Sequence, residues 1–210
     1  MSIIVAFISQ KGGVGKSTLS RALARELSYN KFSVKIADLD VQQGTCIEWN
    51  RIRLHNDIKP YIPVEFFKTA KQALEESKNY DVLIIDGPAR TSVATLEIAK
   101  MANLVIQPSG ASVDDLLPAI KEFHGLIKNT IPKSRLAIAL NRIGTPAEAA
   151  EAIHYIQDAG YNVFHNYLHD KPSYRKAQNL GFSITETKYK ALNEKADSII
   201  QDIIDRITDG

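Results

Sequence analysis

Cysteine is nearly absent from this chain: Cys46 stands alone among 210 residues. A single thiol allows no internal disulfide and no C-x-x-C pair, which excludes a disulfide scaffold and a cluster held by paired cysteines, and fits a reducing cytoplasm. Cys46 itself reads as a small, partly buried apolar residue. Aromatic residues make up only 8% and the net charge is only +2, so any nucleic-acid or membrane surface must be local rather than a property of the whole chain. No apolar run approaches the roughly 18–20 residues that cross a bilayer. The first residues also lack the basic stretch and long apolar core of a signal peptide, and a cytoplasmic location is expected. No repeat, low-complexity tract or Pro/Gly-rich linker divides the sequence. With 44% hydrophobic and 24% charged residues, one domain over 1–210 is expected.

What is present begins with Lys11-Gly12-Gly13-Val14-Gly15-Lys16-Ser17-Thr18, between the apolar run Ile3 to Ile8 and a helical pattern. Glycines let successive N–H groups turn inward toward phosphate oxygens, and the following helix adds its positive N-terminus. Lys16 then reaches the β/γ-phosphates and Ser17 ligates Mg²⁺. Binding of a nucleoside triphosphate is the chemistry implied.

Short runs rich in Ile, Val and Leu recur between amphipathic stretches: Ile3 to Ile8, Ser33 to Ala37, Val64 to Phe67, Val82 to Ile85, Leu104 to Gln107, Leu136 to Leu140 and Asn162 to Phe164. Strand–helix alternation predicts an α/β fold, a mostly parallel twisted sheet covered by helices on both faces. Thr145-Pro146-Ala147-Glu148 predicts a capped helix start, with Gly160 as its end. Ligands of such a sheet sit beyond the carboxyl ends of the strands. Two acid positions fall there: Asp38-Leu39-Asp40 after the second run, and Asp86, followed by Gly87-Pro88-Ala89, after the fourth. Asp also serves turns and helix caps, so neither signal stands alone. Beside a phosphate loop, Asp86 reads as a magnesium-placing carboxylate.

The loop departs from the general G-x-x-x-x-G-K-[ST] pattern by having Gln10 in the first position and a further cation at Lys11. In this it resembles the deviant Walker A motif, K-G-G-x-G-K-[ST], of the ParA/MinD class of P-loop ATPases. The resemblance extends over most of the chain and is strongest over residues 3–42 and 81–110. It implies that Lys11 reaches across a nucleotide-sandwich homodimer to the partner's ATP, acting as an arginine finger does elsewhere. Asp38-Leu39-Asp40-Val41-Gln42 is similar to the family's D-x-D-P-Q segment, with Val41 in place of Pro. By resemblance, Asp38 lies in or near the outer magnesium shell, and Asp40 orients the attacking water. Catalysis would then rest on Lys11, Lys16 and Asp40, phosphate binding on residues 12–18, and Mg²⁺ on Ser17, Asp38 and Asp86.

Asn141 closes the sixth run, and in similar ATPases such an Asn bonds the adenine edge; it is also an ordinary turn residue. Pro108 to Leu116, with Ser112 and Asp114, resembles the family's P-x-x-x-S-x-x-D-L stretch and points to the dimer face, though Ser112 equally suits a helix cap. Residues 168–186 resemble the late ParA segment that packs by the nucleotide and presents cations to DNA, here Lys171, Arg175 and Lys176. Such cations neutralise phosphates without reading bases, and equally form a solvated face. His165 and His169 have no third ligand nearby and carry no metal expectation. The last helix, from about Lys188 to Ile207, aligns Ile199, Ile200, Ile203, Ile204 and Ile207 on one face, with Asp197, Asp202 and Asp205 opposite. A membrane-lying helix would instead be rich in Lys and Arg on its polar face, which counts against stable membrane anchoring of the MinD kind.

The resemblance implies a Mg²⁺-dependent ATPase that dimerises with ATP, binds DNA non-specifically on the nucleoid and is stimulated by a ParB-like centromere-binding or adaptor protein. A MinD-like positioning ATPase and a P-loop metabolic ligase are the alternatives.

Overall fold

The computed structural model describes residues 2–40, 43–88 and 93–208. Its strands are β1 (Ile3–Phe7), β2 (Val34–Asp38), β3 (Val64–Phe66), β4 (Val82–Asp86), β5 (Leu104–Ser109), β6 (Leu136–Ile143), β7 (Asn162–Val163) and β8 (Leu168–His169). The helices are α1 (Lys16–Tyr29), α2 (Thr45–His55), α3 (Ala70–Glu75), α4 (Val93–Met101), α5 (Val113–Lys128), α6 (Pro146–Asp158), α7 (Pro172–Asn179) and α8 (Lys190–Thr208).

All strand pairs run parallel, in the order β3-β2-β4-β1-β5-β6-β7, and β8 pairs with the end of β6. All seven expected strands form. The eighth, only two residues long, carries no periodicity that a sequence reading can find, and joins β6 across a register shift between Asn141 and Ile143.

Period-2 alternation divides the strands between two apolar layers. Ile4, Ala6 and Ile8 face a cluster with Leu83, Ile85, Val105 and Ile138, closed by Ile98 of α4, Phe123 of α5 and Ile156 of α6. Val5 and Phe7 face the other layer, closed by Leu19 and Leu23 of α1, Trp49 of α2, and Ile199, Ile200 and Ile203 of α8. The apolar stripe of α8 is therefore taken up by the core, as its acidic opposite face predicts.

Helix α6 begins as the sequence predicts. The Thr145 side chain accepts from Glu148 N at 3.2 Å, and Glu148 accepts in return from Thr145 N at 3.4 Å, with Pro146 at the first helical position. Gly160, at φ 78°, ends the turn.

Register sets the site. Phe7 and Asp38 both lie level with Asp86, so β1, β4 and β2 finish together and leave Asp38 and Asp86 side by side at the strand ends.

Candidate nucleotide and magnesium site

The glycine-rich segment turns between β1 and α1 and delivers Lys16 as the first helical residue. Two of its glycines are required by geometry. Gly13 has φ 75° and Gly15 φ 111°, the left-handed region that side chains disfavour. A Cβ on Gly15 would also lie 1.9 Å from Asn141 Nδ2. That amide donates to Val14 O at 2.8 Å, while Asn141 Oδ1 accepts from Arg142 N at 2.9 Å. Asn141 thus ties the end of β6 to the phosphate loop; its amide donor and acceptor both have partners on the protein.

Gly12, Gly13, Gly15, Lys16, Ser17 and Thr18 line one open cleft, with Asp40 and Asn141 on its edges. Lys16 is buried by the surrounding loop and strand ends, at 7% exposure. Ser17 Oγ lies 2.8 Å from Thr45 Oγ1, at the start of α2.

Behind the loop, Asp38, Cys46 and Asp86 form a buried group. The Asp38 carboxylate accepts from the N–H groups of Asp40 at 3.0 Å, Cys46 at 3.0 Å and Ile47 at 3.4 Å. Its first task is therefore to hold the turn after β2 and the open N–H groups of α2. Burial raises its pKa above the ordinary value even though these bonds pull the other way. Asp86 has 0% exposure, and burial pushes its pKa up to about 6; the nearby Ser17 hydroxyl opposes this rise and the Asp38 charge reinforces it. One of its oxygens, Oδ2, accepts from Cys46 Sγ at 3.1 Å; the other, Oδ1, is buried with no hydrogen-bond partner among the described residues. Burial also drives the Cys46 thiol well above its usual range. An orphaned carboxylate oxygen near a serine hydroxyl is a hard-oxygen donor set, and it suits Mg²⁺. When bound, that ion would neutralise developing phosphate charge.

Asp40 is 8% exposed, with Gln43 N donating to its Oδ1 at 3.2 Å. It lines the cleft together with the phosphate loop. Val41 and Gln42, at the departure from the D-x-D-P-Q pattern, and Ala89, in the segment after Asp86, lie outside the described residues.

Lys11 points away from the cleft floor and pairs with Asp115 at the start of α5. Ser112 Oγ donates to the same carboxylate at 2.8 Å. Burial opposes ionisation of Asp115, but the bonds from Lys11 and Ser112 more than offset it and hold its pKa below the usual value. The acid that Lys11 and Ser112 meet in this stretch is Asp115, one residue beyond the Asp114 singled out in the sequence. Ser112 occupies the N-cap position of α5, yet its side chain bonds Asp115 rather than a backbone N–H. Arg142 completes this rim. It holds φ 60°, rare for a residue with a side chain, and a Cβ on Gly13 would lie 3.7 Å from its Nη1.

The far wall comes from β8 and α7. Lys171 and Arg175 line the same cleft as the phosphate loop, and Arg175 pairs with Asp170. Lys176 is exposed one residue further on, beside a neighbouring apolar groove. Sequence reading missed Thr45 and Arg21. Arg21 Nη1 donates to Gln178 Oε1 at 3.2 Å and Nη2 to Thr45 O, joining α1 to α7 and α2. The helical spacing of Arg21 after Lys16 was the available signal, but an arginine on a helix more often faces solvent.

A glycine-rich loop between a central parallel strand and a helix, with carboxylates at the ends of adjacent strands, defines a P-loop nucleotide-binding protein. Residues 5–184 match the CobQ/CobB/MinD/ParA nucleotide binding domain. The chain belongs to that family, and within it to the ParA/MinD class of ATPases. Maintenance of carboxysome distribution protein A of Gloeobacter kilaueensis is 25% identical over 195 residues, covering 91% of this chain and 88% of that protein. Two solved structures share the fold. A putative plasmid partition protein of Borrelia burgdorferi bound to AMPPNP has a TM-score of 0.75 at 14% identity, covering 98% of this chain and 100% of that one. MinD of Pyrococcus horikoshii complexed with Mg-ADP has a TM-score of 0.75 at 18% identity, covering 99% and 98%.

Proposed function

We propose that this chain is a ParA-type ATPase that closes into an ATP-sandwich homodimer, binds DNA non-specifically and drives DNA segregation. The observation that carries the proposal is the shared wall of the cleft: Lys171 and Arg175 border the space where the phosphate loop would hold ATP. Nucleotide occupancy and the placement of α7, with Lys176 exposed beside them, are then mechanically linked. In this reading Lys16 and the loop N–H groups hold the phosphates, and Ser17 and Asp86 hold Mg²⁺, with Asp38 fixing the turn between them. Asp40 orients water. Lys11 leaves Asp115 to meet the partner's nucleotide, and a ParB-like or adaptor protein accelerates hydrolysis.

Membrane attachment through the last helix is disfavoured, since Ile199, Ile200 and Ile203 are buried in the core. No described helix is long and apolar enough to cross a membrane. Cargo positioning on the nucleoid is the second reading, favoured by the near full-length similarity to the carboxysome distribution protein. It uses the same cycle with a different load.

Binding to non-specific duplex DNA with ATP, with ADP and without nucleotide, across a salt series, tests the proposal. ATP-dependent binding that weakens steeply with salt is expected. Equal binding in all three states, or none in any, contradicts it.

A further inference from the structure

The nucleotide cycle proposed for this chain assigns no role to the Cys46 thiol, which lies against Asp86. Magnesium takes oxygen ligands and keeps much of its water, so a sulfur atom against its carboxylate adds nothing to Mg²⁺ binding. Sulfur does, however, favour borderline and soft divalent cations.

We propose that Asp38, Cys46 and Asp86 form a binding site for a thiophilic divalent cation, of the Zn²⁺ or Cd²⁺ class, in the nucleotide-free protein. One donor atom from each residue lies within 4.8 Å of the others. All three residues have 0% exposure. Cys46 Sγ already sits 3.1 Å from Asp86 Oδ2. Zinc bonds of about 2.3 Å to sulfur and about 2.1 Å to oxygen, at tetrahedral angles, separate the two donors by about 3.6 Å, so only a slight opening is needed.

A second observation is independent of the thiol. Asp86 Oδ1 is buried without a hydrogen-bond partner among the described residues, and the neighbouring Ser17 hydroxyl and Lys16 charge offset only part of the cost of burying the carboxylate. Asp38 accepts three backbone N–H bonds, and an ionised carboxylate has about four acceptor positions, so it retains one for a cation. Three protein donors leave a fourth position for water. On binding, the Cys46 S–H bond breaks, the sulfur keeps the electron pair and forms the S–metal bond, and the proton leaves to solvent. The cation shares Asp86 with the magnesium expected beside ATP, so the two ions exclude one another. The site goes beyond the nucleotide reading and stands whether or not DNA is bound.

The test is a titration of the full, nucleotide-free chain with Cd²⁺ alone, following the ultraviolet thiolate-to-Cd²⁺ charge-transfer band. Because the chain has a single cysteine, the band has one source. A saturable band at one equivalent is expected, accompanied by a raised melting temperature. Cys46→Ser should abolish the band, and Asp86→Asn should weaken Cd²⁺ affinity about tenfold or more. No band in the wild type, an unchanged affinity in Asp86→Asn, or a band that appears only as circular dichroism reports unfolding would each overturn the proposal.

Discussion

Among single residues, Asp86 sets the electrostatics of the site. Its pKa in the fold, about 6, lies above that of an exposed aspartate because burial penalises its charge. A raised carboxyl pKa stabilises the fold fully below the unfolded value, and that contribution is lost as pH rises through the folded value. The window here runs from about 4 to about 6. Without metal, Asp86→Asn should therefore raise the melting temperature at about pH 7.5 by roughly 5 °C, a gain that shrinks through the window and is absent near pH 4. Thermal melts across pH check this, and a uniform gain at all pH values would contradict it. That Lys16, Ser17 and Asp86 would come together was legible from sequence because each sits at a fixed place in a short local pattern. The Lys11–Asp115 pair was not legible, because it joins residues 104 positions apart. The left-handed backbone of Arg142 was not legible for another reason: it falls at the register shift between Asn141 and Ile143, and nothing in its side chain announces it.

Among the secondary-structure elements, strand ends and helix starts were well marked. An apolar run that stops at an acid locates Asp38 and Asp86, and the Thr145–Glu148 box with Pro146 and Gly160 delimits α6. By contrast β8 is two residues long, and only its pairing with β6 makes it a strand. The junction of loop and α1 is the least tolerant element. Gly15 combines a φ of 111° with the 1.9 Å approach of Asn141 to any added Cβ. Gly15→Ala should displace the Asn141 amide from Val14 O and weaken nucleotide binding more than about tenfold, since misplaced loop N–H groups lose the phosphates together. Titration with a fluorescent nucleotide checks this; wild-type affinity would show that the loop does not act through Gly15. A buried network holds the other side of the cleft. Arg53, at 0% exposure, donates to Glu186 at 2.7 Å and to Gly181 O at 3.0 Å, fixing α2 against the chain that follows α7.

Across the whole molecule, the parallel sheet was legible because strands buried on both faces read as continuous apolar runs. The placement of Lys171 and Arg175 beside the phosphate loop was implied only by the resemblance of residues 168–186 to a known segment; no local pattern carries it, since they come to the cleft through the pairing of β8 with β6. If these cations and Lys176 neutralise DNA phosphates, replacing all three by Ala should reduce the slope of log affinity against log salt by roughly 0.9 for each phosphate no longer neutralised. An unchanged slope would move the DNA surface elsewhere on the molecule.

The proposed ATPase cycle turns on whether ATP in this cleft drives assembly through Lys11. Sedimentation velocity of wild type and Lys11→Ala, each with ATP and Mg²⁺, decides it. A dimer is expected for the wild type and a monomer for the variant, with both still binding nucleotide; equal sedimentation of the two would refute the role given to Lys11.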